Sequence, residues 1–242
     1  MLSAKQIAKH ITGKYNLDVY KKYGDVLKAD GLLVFQDNGA DVLAVAHLDV
    51  VKWNKPKIRN NHIFNAPQLD DRLGVAAILE WLPNAGLGSW DILLCDKEEI
   101  GQTTAESFVP PRHYRYMVEF DRAGSDCVFY QYRQDTLEYS FKEAGWEVGM
   151  GAFSDISQLD HLECQGVNVG IGYHGQHTDA CRADLIEVNT QLAKFAVWHQ
   201  YYGKDSFPYD NKPEYNWYRN YKAYSIADDL FLENQYDSRQ HL

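Results

Sequence analysis

Gln68-Leu69-Asp70-Asp71-Arg72-Leu73-Gly74-Val75-Ala76-Ala77-Ile78-Leu79-Glu80 is the stretch from which the rest of the chain is read. Two adjacent carboxylates stop a polar loop. A nearly all-apolar run, Leu73 to Leu82, follows at once and predicts a buried helix ended by Pro83 and Asn84. Asp70 and Asp71 then sit at a helix N-terminus, where Asp is a favoured cap. Capping alone would account for one of them. Four other places, however, supply metal-ligand residue types, each at the end of an apolar strand-like run.

Working outward, Ser3 to Lys14 reads as an amphipathic helix, with Ile7, Ala8 and Ile11 on one face and Ser3 as its cap. Gly31 to Phe35 and Asp41 to Leu48 read as strands. Asp37-Asn38-Gly39 between them predicts a hairpin. Asn60-Asn61 marks a turn between two short edge strands within Trp53 to Asn65. Further strands are expected at Trp90 to Cys95, Tyr114 to Phe120, Cys127 to Tyr132 and Val167 to Tyr173. Helices are expected at Thr104 to Phe108, Gln134 to Ala144, Asp155 to Leu162 and Ile186 to Tyr202. This alternation predicts an α/β class fold, a three-layer α/β/α sandwich on a mixed central sheet. Residues 1–203 form the expected catalytic domain. Residues 204–242 change character, becoming polar and rich in Tyr and Asn, and form an aromatic-rich C-terminal extension.

The totals narrow the function. The chain has 242 residues, 45% of them hydrophobic, which suits one large domain with a substantial core. The net charge is −10 and no basic block stands out, so nucleic acid is not an expected partner. No apolar run reaches bilayer-spanning length, and the N-terminus lacks the apolar core of a signal peptide. Cys95, Cys127, Cys164 and Cys181 are scattered singly, the usage of a reducing compartment, so a cytoplasmic location is expected. Without a Cys-x-x-Cys pair, a thiolate zinc site is not expected either.

The polar groups found where strands stop are His47 with Asp49, Asp70 with Asp71, Glu98 with Glu99, Asp121, and His177 or His174. In α/β sheets the loops beyond the carboxyl ends of strands form the ligand crevice. Two histidines and three carboxylates, one of them bridging, suffice for two zinc ions. A further carboxylate beside a ligand is what metal-assisted hydrolysis uses as its base. Asp49, two residues beyond His47 on the same side, is placed to orient the imidazole. Each group alone is ordinary: a cap, a solvated loop edge, a turn. Their joint order and spacing are specific.

That order resembles the co-catalytic dizinc exopeptidase superfamily, over about residues 31 to 190. It runs His-x-Asp, Asp-Asp-x-x-Gly opening an apolar helix, Glu-Glu after a strand, Asp, then a late His. Phe120-Asp121-Arg122-Ala123-Gly124-Ser125-Asp126, Phe153-Ser154-Asp155-Ile156 and Gly172-Tyr173-His174-Gly175-Gln176-His177-Thr178 are similar to a peptidase T-like group of bacteria and phages. A phage-encoded member would work in the host cytoplasm. The resemblance implies that Asp70 bridges two Zn2+ ions, for which Co2+ or Mn2+ could substitute. It implies that His47 and Asp121 complete one site and Glu99 and His177 the other. Glu98 is then the general base and Asp49 its catalytic neighbour behind His47. His177 is preferred over His174 because it precedes a small hydroxyl residue, Thr178.

Many members of that superfamily carry a lid or dimerisation domain of roughly a hundred residues. Neither the Asp121–His177 nor the His47–Asp70 interval has room for one, so a lidless catalytic domain is expected. The implied activity is cleavage of a terminal peptide or amide bond of small peptides, as an aminopeptidase. Arg72, Arg122 and Tyr173 are candidates for binding a substrate terminus. The alternatives are an amidohydrolase or deacylase acting on a non-peptide or N-acyl substrate, and an inactive binding protein of the same fold. A homo-oligomer formed through the aromatic extension is the expected protein partner.

Overall fold

The computed structural model describes residues 1–210. Its first helix, α1 (Ala4–Ile11), begins at Ser3. The Ser3 hydroxyl accepts from the Gln6 N–H while the Gln6 side chain accepts from the Ser3 N–H. The strands that follow are β1 (Asp25–Val26), β2 (Val34–Gln36), β3 (Leu43–His47), β4 (Lys57–Arg59) and β5 (His62–Phe64). Helix α2 (Leu69–Ala76) leads to β6 (Asp91–Cys95), β7 (Met117–Arg122), β8 (Cys127–Val128) and α3 (Thr136–Glu143). The chain continues through β9 (Gly166–Gly170), β10 (Tyr173–His174) and β11 (Arg182–Asp184) to α4 (Leu185–Tyr202).

Seven strands form a mixed sheet in the order β1-β2-β6-β3-β7-β9-β8. Its centre is parallel, β6 with β3, β3 with β7 and β7 with β9. Four short strands make a second, antiparallel sheet in the order β10-β11-β5-β4. Side chains alternate across the main sheet as the pleat requires. On β3, Ala44 and Ala46 join a large core with Ile7 of α1, Leu73 of α2 and Phe195 of α4. Leu43 and Val45 face the other way, against Phe108, Ile156 and Leu162. The three layers of the expected sandwich are therefore present. One outer layer is thin, built from 3-10 turns at Thr104–Ser107, Asp155–Gln158 and Asp160–Leu162.

The hairpin expected from Asp37-Asn38-Gly39 does not form. β2 and β3 are both paired to β6, which lies between them, β2 antiparallel and β3 parallel. The turn instead caps the start of β6. The buried Asp91 carboxylate accepts from the Asn38 and Ala40 N–H groups, and the Asn38 amide donates to the Trp90 carbonyl. The apolar run after Asp71 is also less regular than a single helix. It is α-helical to Ala76, π-helical over Ala77–Trp81 and 3-10 over Leu82–Asn84, where Pro83 closes it. The Asn60-Asn61 turn between β4 and β5 forms as read, with Asn60 at φ 53°.

The first compact unit runs from Met1 to Tyr209. Phe207 is buried against Tyr116, and Tyr209 packs edge-on against Tyr132. The remaining aromatics of the extension, Tyr215, Trp217, Tyr218, Tyr221, Tyr224 and Phe231, lie outside the described residues. All four cysteines are buried free thiols. Among the described residues no helix is long and apolar enough to cross a membrane.

Candidate metal centre

β6, β3 and β7 lie side by side, so their carboxyl ends bring three loops to one rim. His47 is the last residue of β3 and is fully buried. Asp121, near the end of β7, faces it with Oδ1 3.4 Å from His47 Nε2. After β6, Lys97 adopts a left-handed conformation (φ 76°) and turns the chain into Glu98–Ile100. Glu98 Oε2 then lies 3.8 Å from His47 Nε2. His177, also left-handed at φ 60°, arrives from the loop after β10. Two non-glycine residues in that region cost local strain, which functional sites tolerate where the surroundings hold it.

Asp70 sits between the two histidines. Its Oδ1 is 3.4 Å from His47 Nε2, and its Oδ2 is 3.0 Å from His177 Nε2. Glu99 Oε2 is 3.1 Å from the same His177 nitrogen. The neighbouring Asp71 does the work of the cap: its Oδ1 accepts from the Gly74 N–H at 3.0 Å. That contact explains the glycine, since a Cβ at position 74 would lie 2.1 Å from the same oxygen. The adjacent acids thus divide two tasks, Asp71 holding the helix start and Asp70 turned into the cluster.

Asp49 does more than orient a ring. The His47 Nδ1 lies 3.0 Å from the Asp49 carbonyl oxygen and 3.4 Å from its carboxylate. The two carboxylate oxygens accept from the backbone N–H groups of Glu98 and Glu99, at 3.1 and 3.0 Å. One side chain therefore positions His47 and the Glu98-Glu99 turn together. His174, by contrast, points away from the cluster and bonds Glu187 at 2.9 Å.

The electrostatics match a site that needs positive charge. Asp49, Asp70, Glu98, Glu99 and Asp121 converge on only two imidazoles. Burial, with Asp121 close by, pushes the Glu98 carboxyl up to about 8. Burial and Asp70 push Glu99 to about 7, and burial and Asp70 push Asp121 to about 6. Burial opposes a charged Asp70 too, but bonds from His177 and His47 outweigh it and hold its pKa low. The bond to Asp70 raises His177 to about 9. His47 Nε2, Asp121 Oδ1 and Glu99 Oε1 are buried without a hydrogen-bond partner. Orphaned imidazole and carboxylate atoms turned toward one another are the donor set of a hard or borderline divalent cation. The residues present therefore fit a divalent cation.

The three candidates for substrate binding are placed differently. The Arg122 guanidinium is engaged by Asp126 and the Met150 carbonyl. The Tyr173 hydroxyl donates to the Asp121 carbonyl at 2.6 Å, which makes Tyr173 a support for the end of β7. Arg72 is buried among Tyr15, Tyr20 and Trp53. Sequence reasoning gave no role to Glu119 and Asp155, both fully buried on the same side of the sheet. Glu119 accepts from the Ser154 hydroxyl and Asp155 from the Thr103 hydroxyl, and each keeps one unpartnered oxygen. Period-two alternation on β7 places Glu119 on the face of Asp121 and would have found it.

No family model and no curated protein sequence matches the chain. Solved structures do. A tripeptidase from Staphylococcus aureus subsp. aureus Mu50 superposes with a TM-score of 0.60 at 12% identity, covering 82% of this chain and 98% of that one. Aminopeptidase PepT from Bacillus cereus ATCC 10987 gives 0.55 at 12% identity, covering 80% and 95%. The Pyrococcus horikoshii TET1 peptidase, which assembles into a tetrahedron or a large octahedral shell, gives 0.56 at 13% identity, covering 80% and 98%. The chain thus has the α/β fold of these peptidases.

Proposed function

We propose that this chain is a dizinc metallohydrolase that removes a terminal residue from small peptides, most simply an aminopeptidase. One observation carries the reading: the two oxygens of Asp70 are divided between His47 with Asp121 on one side and His177 with Glu99 on the other. Asp70 would bridge the ions, with His47 and Asp121 completing one site and Glu99 and His177 the other. Bound there, the pair supplies Lewis-acid polarisation of the scissile carbonyl and a more acidic water.

The chain's own groups do the rest. Glu98 lies at the rim beside His47 but outside the proposed ligand set, where a carboxylate is placed to take and return a proton. It would accept the proton of the attacking water and deliver it to the leaving amine. Asp49 fixes Glu98 relative to His47 through the backbone. Tyr173 holds the Asp121 main chain. The fold likeness to peptidases supports a peptide substrate, and the TET1 assembly supports a homo-oligomeric state.

The test combines metal analysis with a substrate panel. Inductively coupled plasma mass spectrometry should find two divalent ions per chain. Di- and tripeptides should lose their N-terminal residue, whereas N-acyl amino acids and folded proteins should not react. Protein that binds no divalent metal, or that hydrolyses N-acyl amino acids alone, would overturn the proposal.

A further inference from the structure

A pocket of 330 Å³ lies between the end of α1, the 3-10 helix Leu17–Tyr23, Trp53 and Arg72. Arg72 projects from α2 and is only 1% exposed. Its guanidinium carbon sits 4.7 Å from the Tyr20 ring centre and 5.7 Å from those of Tyr15 and Trp53. Ring faces stabilise the charge but leave the in-plane N–H groups unmet. Nε and Nη2 have no hydrogen-bond partner. A buried guanidinium cannot shed its proton, so it calls for an acceptor, best an anion.

The nearby carboxylates are used otherwise. Glu80 bonds Lys9 at 2.8 Å and lies 3.5 Å from His10. Asp71 uses Oδ1 on the Gly74 N–H, and its Oδ2 is buried without a partner and makes no bond to Arg72. No Asp or Glu lines the pocket, while Lys14 and Lys22 do. Tyr20, Tyr23 and Trp53 complete an aromatic wall. The volume is that of a small-molecule site.

We propose that this pocket binds a small organic anion, a carboxylate or phosphate on a planar apolar body, with the charge on Arg72 flanked by Lys14 and Lys22 and the body against Tyr20, Tyr23 and Trp53. A planar, five-donor guanidinium matches either anion through two parallel hydrogen bonds. The inference rests on this pocket alone and stands whether or not the metal centre hydrolyses peptides.

Isothermal titration calorimetry on the full chain decides it, with phenyl phosphate and 3-phenylpropionate as probes and benzyl alcohol as the neutral control. At least one anion should bind saturably at one per chain, and benzyl alcohol should not. Arg72→Met, which keeps the apolar stem, should weaken binding at least tenfold. Because a buried arginine is risky to replace, a Lys14→Ala/Lys22→Ala variant, altered only at two exposed side chains, should weaken it several-fold with an unchanged melting temperature. Preference between the probes separates a phosphate ligand from a peptide-like carboxylate. Absence of binding by both anions, equal binding of benzyl alcohol, or native affinity in the lysine variant would overturn the proposal.

Discussion

Replacing Asp49 by Asn keeps the size of the side chain and removes one of its two acceptor oxygens. In the native chain both oxygens are used, one on the Glu98 N–H and one on the Glu99 N–H, and the side chain is only 14% exposed. The variant leaves one backbone N–H facing an NH2 group, at a cost of about 1–3 kcal/mol for a buried donor without an acceptor. The surviving bond changes from charge-assisted to neutral, losing about 1 kcal/mol more. The sum, about 2–4 kcal/mol, corresponds to a fall in melting temperature on the order of 5–15 °C for a domain of this size. The Glu98-Glu99 turn should also shift away from His47. Groups that orient metal ligands typically contribute 10- to 100-fold in metal affinity or activity, so zinc affinity should drop by roughly that factor. Differential scanning fluorimetry and a zinc titration against a competing chelator read the two effects. An Asp49→Asn protein with native melting temperature and native zinc affinity would refute the view that this carboxylate holds the turn.

Other perturbations separate the remaining roles. Glu98→Gln should cut turnover by roughly 10²- to 10⁴-fold while both metals stay bound, whereas Glu99→Gln should lose one metal and regain activity with added zinc; metal stoichiometry beside turnover distinguishes them, and the reverse pattern would swap the two assignments. His177→Ala should lower the metal count by one while His174→Ala leaves it unchanged, because His174 is spent on Glu187; mass spectrometry of the native holoprotein would show it. Truncation after residue 203 removes Phe207 from its contact with Tyr116, and a fall in melting temperature of several degrees is expected, since losing a buried Phe costs about 3–5 kcal/mol; an unchanged melt would show that residues 204–209 add nothing. Burial holds the His10 pKa at about 4 against a usual 6.5, so between those values the unfolded chain takes up a proton that the folded chain refuses. Stability should therefore be intact above pH 6.5 and fall by roughly 3 kcal/mol on the way to pH 4, and His10→Gln should flatten that limb of a denaturant-based stability profile.

The strand and helix segments were legible because their periodicities are local. Leu43 to His47, Asp91 to Cys95 and Met117 to Phe120 are short buried runs bounded by turn residues, and α4 is long enough for its pattern to dominate. Three candidate ligands were legible for a related reason: His47, Glu99 and Asp121 end or follow β3, β6 and β7, whose parallel pairing delivers their carboxyl ends to one edge, whereas Asp70 opens α2 and His177 follows β10 of the second sheet. What stayed hidden depends on contacts between distant segments. Asp49 was readable as a partner for His47 two residues away, but its bonds to Glu98 and Glu99 cross about fifty positions of chain. Arg122 looked free for a substrate terminus until Asp126 and the Met150 carbonyl were seen to occupy it. Asp155 stood inside a quoted motif but received no role, because its burial against Thr103 is purely tertiary.

The misread hairpin shows that the site and the fold constrain each other. A strand has two edges. β3 gives one to β6 and the other to β7, and that arrangement is what places Glu98 and Asp121 on either side of His47. Had β2 folded back on β3, one of those edges would have been filled. Either the Glu98-Glu99 loop or Asp121 would then have been moved at least one strand spacing, about 4.8 Å, away from the imidazole. A cluster with atoms 3.4–3.8 Å apart does not survive that displacement. Taking His47, Glu98 and Asp121 as one site therefore already excludes the Asp37-Asn38-Gly39 hairpin. The buried Asp91 carboxylate is what holds the alternative in place, tying the turn at Asn38 and Ala40 to the first residue of β6 and leaving both edges of β3 for the strands that bring Glu98 and Asp121 to His47.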